Sequence, residues 1–352
     1  MRLTKLRHKL VEGKLDAIVI TQPQNRRYLS GFTGSDGALV VSAEAAYLAT
    51  DFRYYEQAER QSPNFTLIKI EGKFPPRLAE LMAEIGARRV GFESTNVTVD
   101  QHQRWGEAAE DFELVPTKGM VEGLRAIKDE RELALIRRAV ELADASLAHV
   151  VQWLKPGVTE KAVAWEIETF IRTHGGDDIA FDTIVGSGPN GAMAHAEPGD
   201  RRIQEGEPIV LDLGARVEGY CSDLTRTICL GEPDQRFRQI HALVLEAQET
   251  AEQAMRAGLK GSTADAIARD LIAAAGHGEQ FGHGLGHGVG LAIHERPRLA
   301  KTSKDVLQAA MVVTVEPGVY IEGWGGVRIE DTVVVREREV EVLTRASKEL
   351  RG

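Results

Sequence analysis

Two stretches of the sequence each carry a pair of acids inside apolar, strand-like runs. In the first stretch, residues 208–230, Asp212 and Asp223 lie on either side of a predicted turn at 216–219. In an antiparallel hairpin we expect this spacing to place the two carboxylates directly opposite each other, about 4.5–5.5 Å apart. Two like charges at that distance destabilise a sheet unless a cation lies between them, so the pair predicts a cation site.

The second stretch, residues 314–335, repeats this arrangement. Glu316 and Glu330 are placed symmetrically about a glycine-rich turn near Gly323. The residues around both acids are apolar, so we expect the carboxylates to be partly buried. A buried ionised carboxylate without a partner costs roughly several kcal/mol. Four convergent acids therefore predict a site for divalent cations.

A glycine–histidine stretch at 281–297 adds His283, His287 and His294. Its repeated glycines disfavour a helix, so the HxxxH spacing predicts an extended or irregular segment rather than a helical zinc site. One imidazole beside four carboxylates favours Mn²⁺, Co²⁺ or Zn²⁺ over an iron–sulfur or cysteine-ligated centre. Four acids balance the charge of two dications, which would then activate a bound hydroxide.

Two features have simpler interpretations that remain open. Arg226 or Arg328 could neutralise the acids one by one in place of a metal. His195 follows a GxGxxG stretch at 186–191, but an internal proline and the lack of a clear following helix argue against dinucleotide binding. A single histidine is by default a core or surface residue.

The elements that position these groups fall into two regions. The first, residues 1–122, alternates short apolar runs with helical patterns and predicts a small α/β domain. Its expected strands are 15–20, 37–43, 45–50 and 88–93, and its expected helices are 53–61 and 75–87. The second region, residues 123–352, begins with a long amphipathic helix predicted over 124–154.

The second region also contains a weak internal repeat. Thr159 and Thr263, each in a similar helical pattern, are separated by 104 positions, and so are Asp212 and Glu316. Coincidence between two amphipathic helices is the alternative explanation. Two equal offsets favour duplicated halves, each made of a helix and a hairpin.

Length and composition exclude several classes of protein. The chain has 352 residues and a formal net charge of −10. Single cores stop growing at about 250–300 residues, so we expect two domains. The acidic balance argues against a nucleic-acid or anionic-membrane binder. Only Cys221 and Cys229 are present, and no signal peptide or membrane span is evident, so we expect a soluble cytoplasmic protein.

Five strings resemble those of the pita-bread metallopeptidases, in the order of that family: VLDLGA, YCSDLTRT, HGLGHGVGLAIHE, VTVEPGVY and VRIEDTVVV. The family includes aminopeptidase P, prolidase, methionine aminopeptidase and the metal-free relative creatinase. YLSGFTGSDGALVV and TDFRYY resemble the N-terminal domain of the Xaa-Pro peptidase branch. The resemblance implies a creatinase-like α/β domain followed by an α+β pita-bread domain. In that domain, pseudo-twofold helix-plus-hairpin halves surround a curved antiparallel sheet.

The resemblance also implies two divalent ions per chain, with Mn²⁺ expected first and Co²⁺ or Zn²⁺ as alternatives. Asp212 would bind one ion, and His287 and Glu316 would bind the other. Asp223 and Glu330 would bridge the two.

The remaining implied roles concern the substrate. Glu316 would relay a proton, His294 would stabilise the oxyanion, and His195 would assist the leaving proline nitrogen. His283 would contact the substrate or support a ligand. Arg328 would support the acid cluster.

The implied activity is removal of the first residue from peptides with proline second, as in a Xaa-Pro aminopeptidase. A Xaa-Pro dipeptidase is the alternative, although the short chain and the N-terminal strings favour the aminopeptidase. The additional N-terminal domain disfavours a methionine aminopeptidase. The complete set of ligands disfavours both creatinase and a non-catalytic binding protein. The resemblance also implies a homodimer.

Overall fold

The computed structural model describes residues 2–350, and Met1, Arg351 and Gly352 lie outside the described residues. The chain divides into two compact units after Arg125. Within residues 2–350, none of the helices combines the length and the apolar character that crossing a membrane requires.

The first unit is built on one six-stranded mixed sheet. Its strands are β1 (Ala17–Ile20), β2 (Ala38–Ser42), β3 (Ala46–Asp51), β4 (Thr66–Ile70), β5 (Arg89–Glu93) and β6 (Glu113–Thr117). Its helices are α1 (Arg2–Glu12), α2 (Pro23–Ser30), α3 (Tyr55–Gln61), α4 (Phe74–Glu84), α5 (Val99–Ala108) and α6 (Glu122–Arg125). The strand order is β4-β3-β2-β1-β5-β6. Every residue of β1 is buried, as expected for a central strand covered on both faces. The predicted α/β class is confirmed.

The second unit contains four long helices and thirteen short strands within the described residues. The helices are α7 (Glu130–Trp153), α8 (Glu160–Thr173), α9 (Gln235–Ala254) and α10 (Gly261–Ala274). The first strands are β7 (Asp178–Ile179), β8 (Ile184–Ser187), β9 (Ile209–Leu213), β10 (Ala215–Val217), β11 (Tyr220–Cys221) and β12 (Leu224–Ile228). The others are β13 (Gly286–Gly288), β14 (Glu295–Leu299), β15 (Val312–Val315), β16 (Gly318–Ile321), β17 (Gly325–Arg328), β18 (Asp331–Val335) and β19 (Val340–Val342).

The long helix predicted over 124–154 is wrong at its beginning, because α7 starts only at Glu130. Asp129 accepts a hydrogen bond from the backbone N–H of Glu132, and the Glu132 side chain accepts one from the backbone N–H of Asp129. This capping box satisfies free N–H groups of the first turn and fixes the start of the helix. The helical spacing of apolar residues continues through α6. The sequence pattern therefore did not reveal that residues 126–129 separate α6 from α7.

The second unit consists of two similar halves. In the first half, α7 and α8 pack on the antiparallel sheet β12-β9-β8, around a buried core that includes Leu147, Ile167 and Leu211. In the second half, α9 and α10 share a core with the sheet that contains β13, β15 and β18. The halves meet where Glu330 N donates to Thr225 O. Each half thus presents one acidic hairpin at the junction.

The first hairpin has a different register from the predicted one. Asp212 pairs with Thr225 rather than with Asp223, and Arg216 pairs with Cys221. The turn consists of Glu218 and Gly219, both with positive φ, which is typical of a two-residue hairpin turn. Asp212 and Asp223 are therefore diagonal neighbours on the hairpin, and the prediction of direct opposition is wrong.

The second hairpin has the predicted register. Val315 pairs with Asp331 in β15–β18, and Ile321 pairs with Gly325 in β16–β17. Both pairings are symmetric about Gly323, whose φ is +74°. Continuing this register places Glu316 and Glu330 opposite each other, at the points where the β15–β18 pairing ends.

Candidate metal centre

Three carboxylates from the two hairpins converge on one place. One side-chain oxygen from each of Asp212, Asp223 and Glu330 lies within 4.8 Å of the other two. All three residues are buried, with 8%, 5% and 1% of their surface exposed. The structure thus brings Glu330 together with two acids that lie more than a hundred positions earlier in the sequence.

The acids lie where regular strand pairing is interrupted. Asp223 falls between β11 and β12, Glu316 between β15 and β16, and Glu330 between β17 and β18. Asp212 lies inside β9, whose five residues are all buried. The strand breaks let carboxylates from both hairpins turn towards one another while apolar residues fill the space around them.

Burial and mutual repulsion dominate the electrostatics of the cluster. Burial raises the pKa of Asp223 well above its ordinary value, and the carboxylates of Glu330 and Asp212 raise it further. Burial likewise raises the pKa of Glu330 well above its ordinary value, with Glu316 and Asp212 adding to the shift. A divalent cation would remove both penalties, because it favours the ionised forms.

Arg328 reaches only part of this cluster. Its Nη2 donates a hydrogen bond to Asp212 Oδ2, yet burial still leaves the pKa of Asp212 raised. Arg226, the other arginine considered from the sequence, instead pairs with Asp331 at 2.7 Å. The four acids are therefore not neutralised one by one by these arginines, which was the simpler interpretation of the sequence.

Two buried carboxylate oxygens have no hydrogen-bond partner among residues 2–350, namely Asp212 Oδ1 and Glu330 Oε1. A buried acceptor of this kind costs about 1–3 kcal/mol, and more when it is charged. The donor set therefore fits a hard or borderline divalent cation.

His287 joins the cluster from β13. Its Nε2 lies 3.2 Å from Glu316 Oε1 and 3.5 Å from Asp223 Oδ2. Its Nδ1 lies 3.1 Å from Gly288 O and donates there, so the neutral ring turns an Nε2 lone pair towards two carboxylates. Burial alone would lower the pKa of His287, but the hydrogen bond and charge of Glu316 raise it. Nε2 thus needs either a proton or a metal ion.

Glu316 differs from the other acids. Burial alone would raise its pKa, but the hydrogen bond and charge of His287, with His283 and Arg328 nearby, lower it to about 2. Thr314 Oγ1 also donates to Glu316 Oε1 at 3.0 Å. Glu316 is therefore ionised at neutral pH even without a metal.

A polar chain extends from the cluster to His283. Arg328 Nη1 donates to the Tyr320 hydroxyl at 2.6 Å, and that hydroxyl lies 2.9 Å from His283 Nε2. Burial raises the pKa of Tyr320 to about 12 and lowers the pKa of His283. Sequence reasoning did not single out Tyr320. The sequence signal that could have indicated Tyr320 is the register of the second hairpin. This register places Tyr320 opposite Gly326 and diagonal to Arg328 on the same face.

The other two histidines lie at the exposed side of the centre. The ring centroids of His294 and His287 are 4.3 Å apart. Burial lowers the pKa of His294, and the charges of His287 and Arg298 lower it further. Arg298 pairs with His287 across β13 and β14. His195 is exposed, and the carbonyl of the preceding Ala194 accepts a hydrogen bond from Arg328 Nη1 at 3.2 Å. All the residues predicted from the sequence thus lie in or around one site, and Arg298 is a further cation that the sequence reasoning missed.

Comparison with known proteins gives a consistent result over the whole chain. The family model described as Metallopeptidase family M24 matches residues 134–337, and the model described as Creatinase/Prolidase N-terminal domain matches residues 2–127. A Xaa-Pro dipeptidase of Pyrococcus furiosus is 36% identical over 99% of both chains.

Solved structures agree with these matches. A Xaa-Pro dipeptidase from Bacillus anthracis has a TM-score of 0.97 at 42% identity, covering 99% of this chain and 98% of the other. An X-Pro aminopeptidase from Thermotoga maritima has a TM-score of 0.90 at 35% identity, covering 96% of this chain and 97% of the other. The two-domain pita-bread fold expected from the sequence is confirmed.

Proposed function

This chain belongs to metallopeptidase family M24, and we propose that it is a dinuclear-metal exopeptidase acting on peptides whose second residue is proline. The observation that carries the proposal is the buried convergence of Asp212, Asp223 and Glu330, with two carboxylate oxygens left without a partner among residues 2–350. The names of the similar dipeptidases and of the similar aminopeptidase support the choice of proline substrates.

The metal ligands would be the residues that converge in the cluster. Asp212 would hold one ion, His287 and Glu316 the other, and Asp223 and Glu330 would contact both. A set of four carboxylates and one imidazole suits Mn²⁺ first, with Co²⁺ or Zn²⁺ as alternatives. Bound divalent ions would polarise the scissile carbonyl and lower the pKa of a water molecule.

The chain's own groups would move protons and bind the substrate. Glu316, which stays ionised, would accept a proton from the attacking water. His294, whose pKa burial lowers, is neutral at pH 7 and would donate its N–H to the oxygen of the scissile carbonyl. His195 would donate to the proline nitrogen as that nitrogen leaves. His283 would contact the substrate, and the Tyr320 hydroxyl would hold the His283 ring in place.

A dedicated enzyme is needed because proline forms a tertiary amide. That amide has no N–H for the backbone contacts that other peptidases use, and its ring fixes φ. A site that binds the first residue and the carbonyl through metals and histidines avoids that requirement.

The choice between a dipeptidase and an aminopeptidase depends on how the far end of the substrate is bound. A dipeptidase must hold the free proline carboxylate, whereas an aminopeptidase must leave that end open. Arg298 lies on β14, where it pairs with His287 of β13, and its charge lowers the pKa of His294. This cation and the dipeptidase relatives favour the dipeptidase, and the aminopeptidase remains the second candidate because of the Thermotoga maritima structure.

The test compares Xaa-Pro dipeptides with Xaa-Pro-Yaa tripeptides, using Mn²⁺-loaded protein and Xaa-Ala peptides as controls. We expect hydrolysis of the proline peptides, with the dipeptides preferred. Failure to cleave any proline peptide with metal bound would overturn the proposed function. Preference for tripeptides would select the aminopeptidase.

Replacement of Arg298 tests the carboxylate-binding role. In Arg298→Met we expect KM for the dipeptide to rise roughly 10- to 100-fold, because one charge-assisted hydrogen bond is lost. KM for the tripeptide should change little. Arg296→Met is the matched control, because the Arg296 guanidinium pairs with Asp305. An equal effect on both substrates would contradict the role.

We also propose that the chain forms a homodimer. We expect size-exclusion chromatography to give the mass of a dimer, and the mass of a monomer would refute this proposal.

A further inference from the structure

The segment that carries His195 is fixed at both of its ends. We call residues 187–199 the His195 loop. It begins at Ser187, the last residue of β8, and continues with a 3-10 helix, Gly188–Ala192. The side chain of Glu160, the first residue of α8, contacts the loop and is 0% exposed.

One carboxylate binds both ends of the loop. Glu160 Oε1 accepts hydrogen bonds from Ser187 N at 2.8 Å and Ser187 Oγ at 2.7 Å. Asn190 Nδ2 donates to both oxygens, at 3.1 and 3.0 Å. Glu160 Oε2 also accepts from Gly199 N at 3.2 Å. His195 lies between the second and third of these anchors, so the carboxylate closes the loop around it.

Arg201 connects Glu160, through Ser187, to a second carboxylate. Arg201 Nη1 donates to Ser187 Oγ at 2.5 Å, and the same guanidinium forms two hydrogen bonds of 2.6 Å to Glu207. Ser187 Oγ thus accepts from Arg201 and donates to Glu160. Glu160 accepts all five of its hydrogen bonds, which a carboxylate can do and a carboxamide cannot.

The other face of the loop packs on the second acidic hairpin. A Cβ on Gly326 would lie 2.0 Å from Gly191 O, so the two backbones touch. Arg328 Nη1, whose guanidinium also binds Asp212, donates to Ala194 O at 3.2 Å. The GxGxxG spacing of the sequence therefore serves close backbone packing, and the residue before His195 is tied to the acid cluster.

We propose that Glu160 is a positioning residue for His195: its carboxylate fixes the His195 loop and thereby sets the distance between the imidazole and the scissile bond. This inference rests on the proposed function, in which His195 contacts the substrate. Glu160 acts by positioning alone, because its side-chain hydrogen bonds within residues 2–350 are all with the loop.

The first test replaces Glu160 by Gln, which keeps the shape but gives Asn190 and Gly199 a donor in place of an acceptor. A misplacement of about 1 Å can cost about 10²-fold in rate. We expect kcat/KM for a proline dipeptide to fall roughly 10- to 100-fold while the content of bound Mn²⁺ stays the same. Glu166→Gln on the same helix, where Glu166 pairs with His149, should leave kcat/KM unchanged.

A double-mutant cycle separates positioning from a general structural effect. If Glu160 acts through His195, the double variant Glu160→Gln with His195→Ala should be no slower than His195→Ala alone. Multiplied losses would overturn the proposal, because they would mean that Glu160 acts independently of His195. An unaltered His195→Ala enzyme would also overturn it.

Asn190→Ala keeps the test valid if the Glu160 variant does not fold. It removes two of the anchoring hydrogen bonds without changing a buried charge, and it should reproduce a smaller loss that is again absent in the His195→Ala background. Full activity of Asn190→Ala would overturn the proposal, and so would full activity of a folded Glu160→Gln variant. Lack of activity in the metal-loaded wild type would instead refute the proposed function.

Discussion

The two ends of the acid cluster differ in whether the chain itself supplies a positive charge to the carboxylates. At one end, Asp212 accepts a hydrogen bond from the Arg328 guanidinium, which continues to Tyr320. At the other end, burial and neighbouring carboxylates raise the pKa values of Asp223 and Glu330 well above their ordinary range. The fold therefore supplies a cation for one carboxylate and leaves the others to a cation from outside the chain.

Both ends depend on contacts between the two hairpins. Arg328 comes from the second hairpin and Asp212 from the first. Thr225 of the first hairpin donates to Glu330 Oε2 at 2.6 Å, and its hydroxyl accepts from Arg328 Nε at 3.1 Å. The two halves are thus unequal, because Arg328 compensates part of the charge at Asp212 and no arginine side chain binds the carboxylate of Asp223 or Glu330 among residues 2–350.

The largest expected effect is on the end without an arginine. In Asp223→Ala we expect metal content to fall and kcat/KM to drop by more than about 10²-fold, because a group that contacts both ions is lost. Elemental analysis and dipeptide hydrolysis measure the two losses. Asp178→Ala, which removes a surface acid paired with Arg172, is the control and should behave as wild type. Full metal content in Asp223→Ala would contradict the assignment.

The next effect contrasts the two ends in metal-free protein. Asp212→Asn leaves the buried Arg328 without its charged partner and should cost about 3–5 kcal/mol of unfolding free energy. Asp223→Asn removes repulsion and should make the metal-free protein more stable. Denaturant unfolding in the presence of a chelator measures both. Equal destabilisation by the two variants would show that the ends are alike.

The smallest expected effect is on pH dependence. Because the folded-state pKa values of Asp223 and Glu330 are raised, the metal-free native state holds more protons than the unfolded state, and its stability falls as pH rises through those pKa values. We expect metal-free wild type to lose more stability than Asp223→Asn between about pH 5 and 8. Identical slopes in the two proteins would contradict the raised pKa of Asp223.

The sequence predicted the second hairpin better than the first for a local reason. Its glycine-rich turn leaves one symmetric register about Gly323, which the structure confirms. The first hairpin offers several residues for its turn, and placing Glu218 and Gly219 there, rather than one position earlier, moves Asp223 from opposite Asp212 to its diagonal. Composition and periodicity cannot distinguish two registers whose turns differ by one position.

Two polar groups that support the site, Glu160 and Tyr320, were not predicted from local patterns. Glu160 precedes its partner Ser187 by 27 residues, and Tyr320 lies 37 residues from His283. Such contacts depend on how elements distant in the sequence pack. The acids themselves were found because charged residues within apolar strands are costly and therefore conspicuous. The histidines were found through the glycine–histidine stretch and, for His195, through the family resemblance alone.

Anomalous diffraction from crystals grown with Mn²⁺ tests the central claim most directly, because it locates the ions themselves. We predict two manganese peaks per chain, one beside Asp212 and one beside His287 and Glu316, with Asp223 and Glu330 in contact with both. A cluster that binds no manganese, with its carboxylates held by protons and Arg328 alone, would contradict the account.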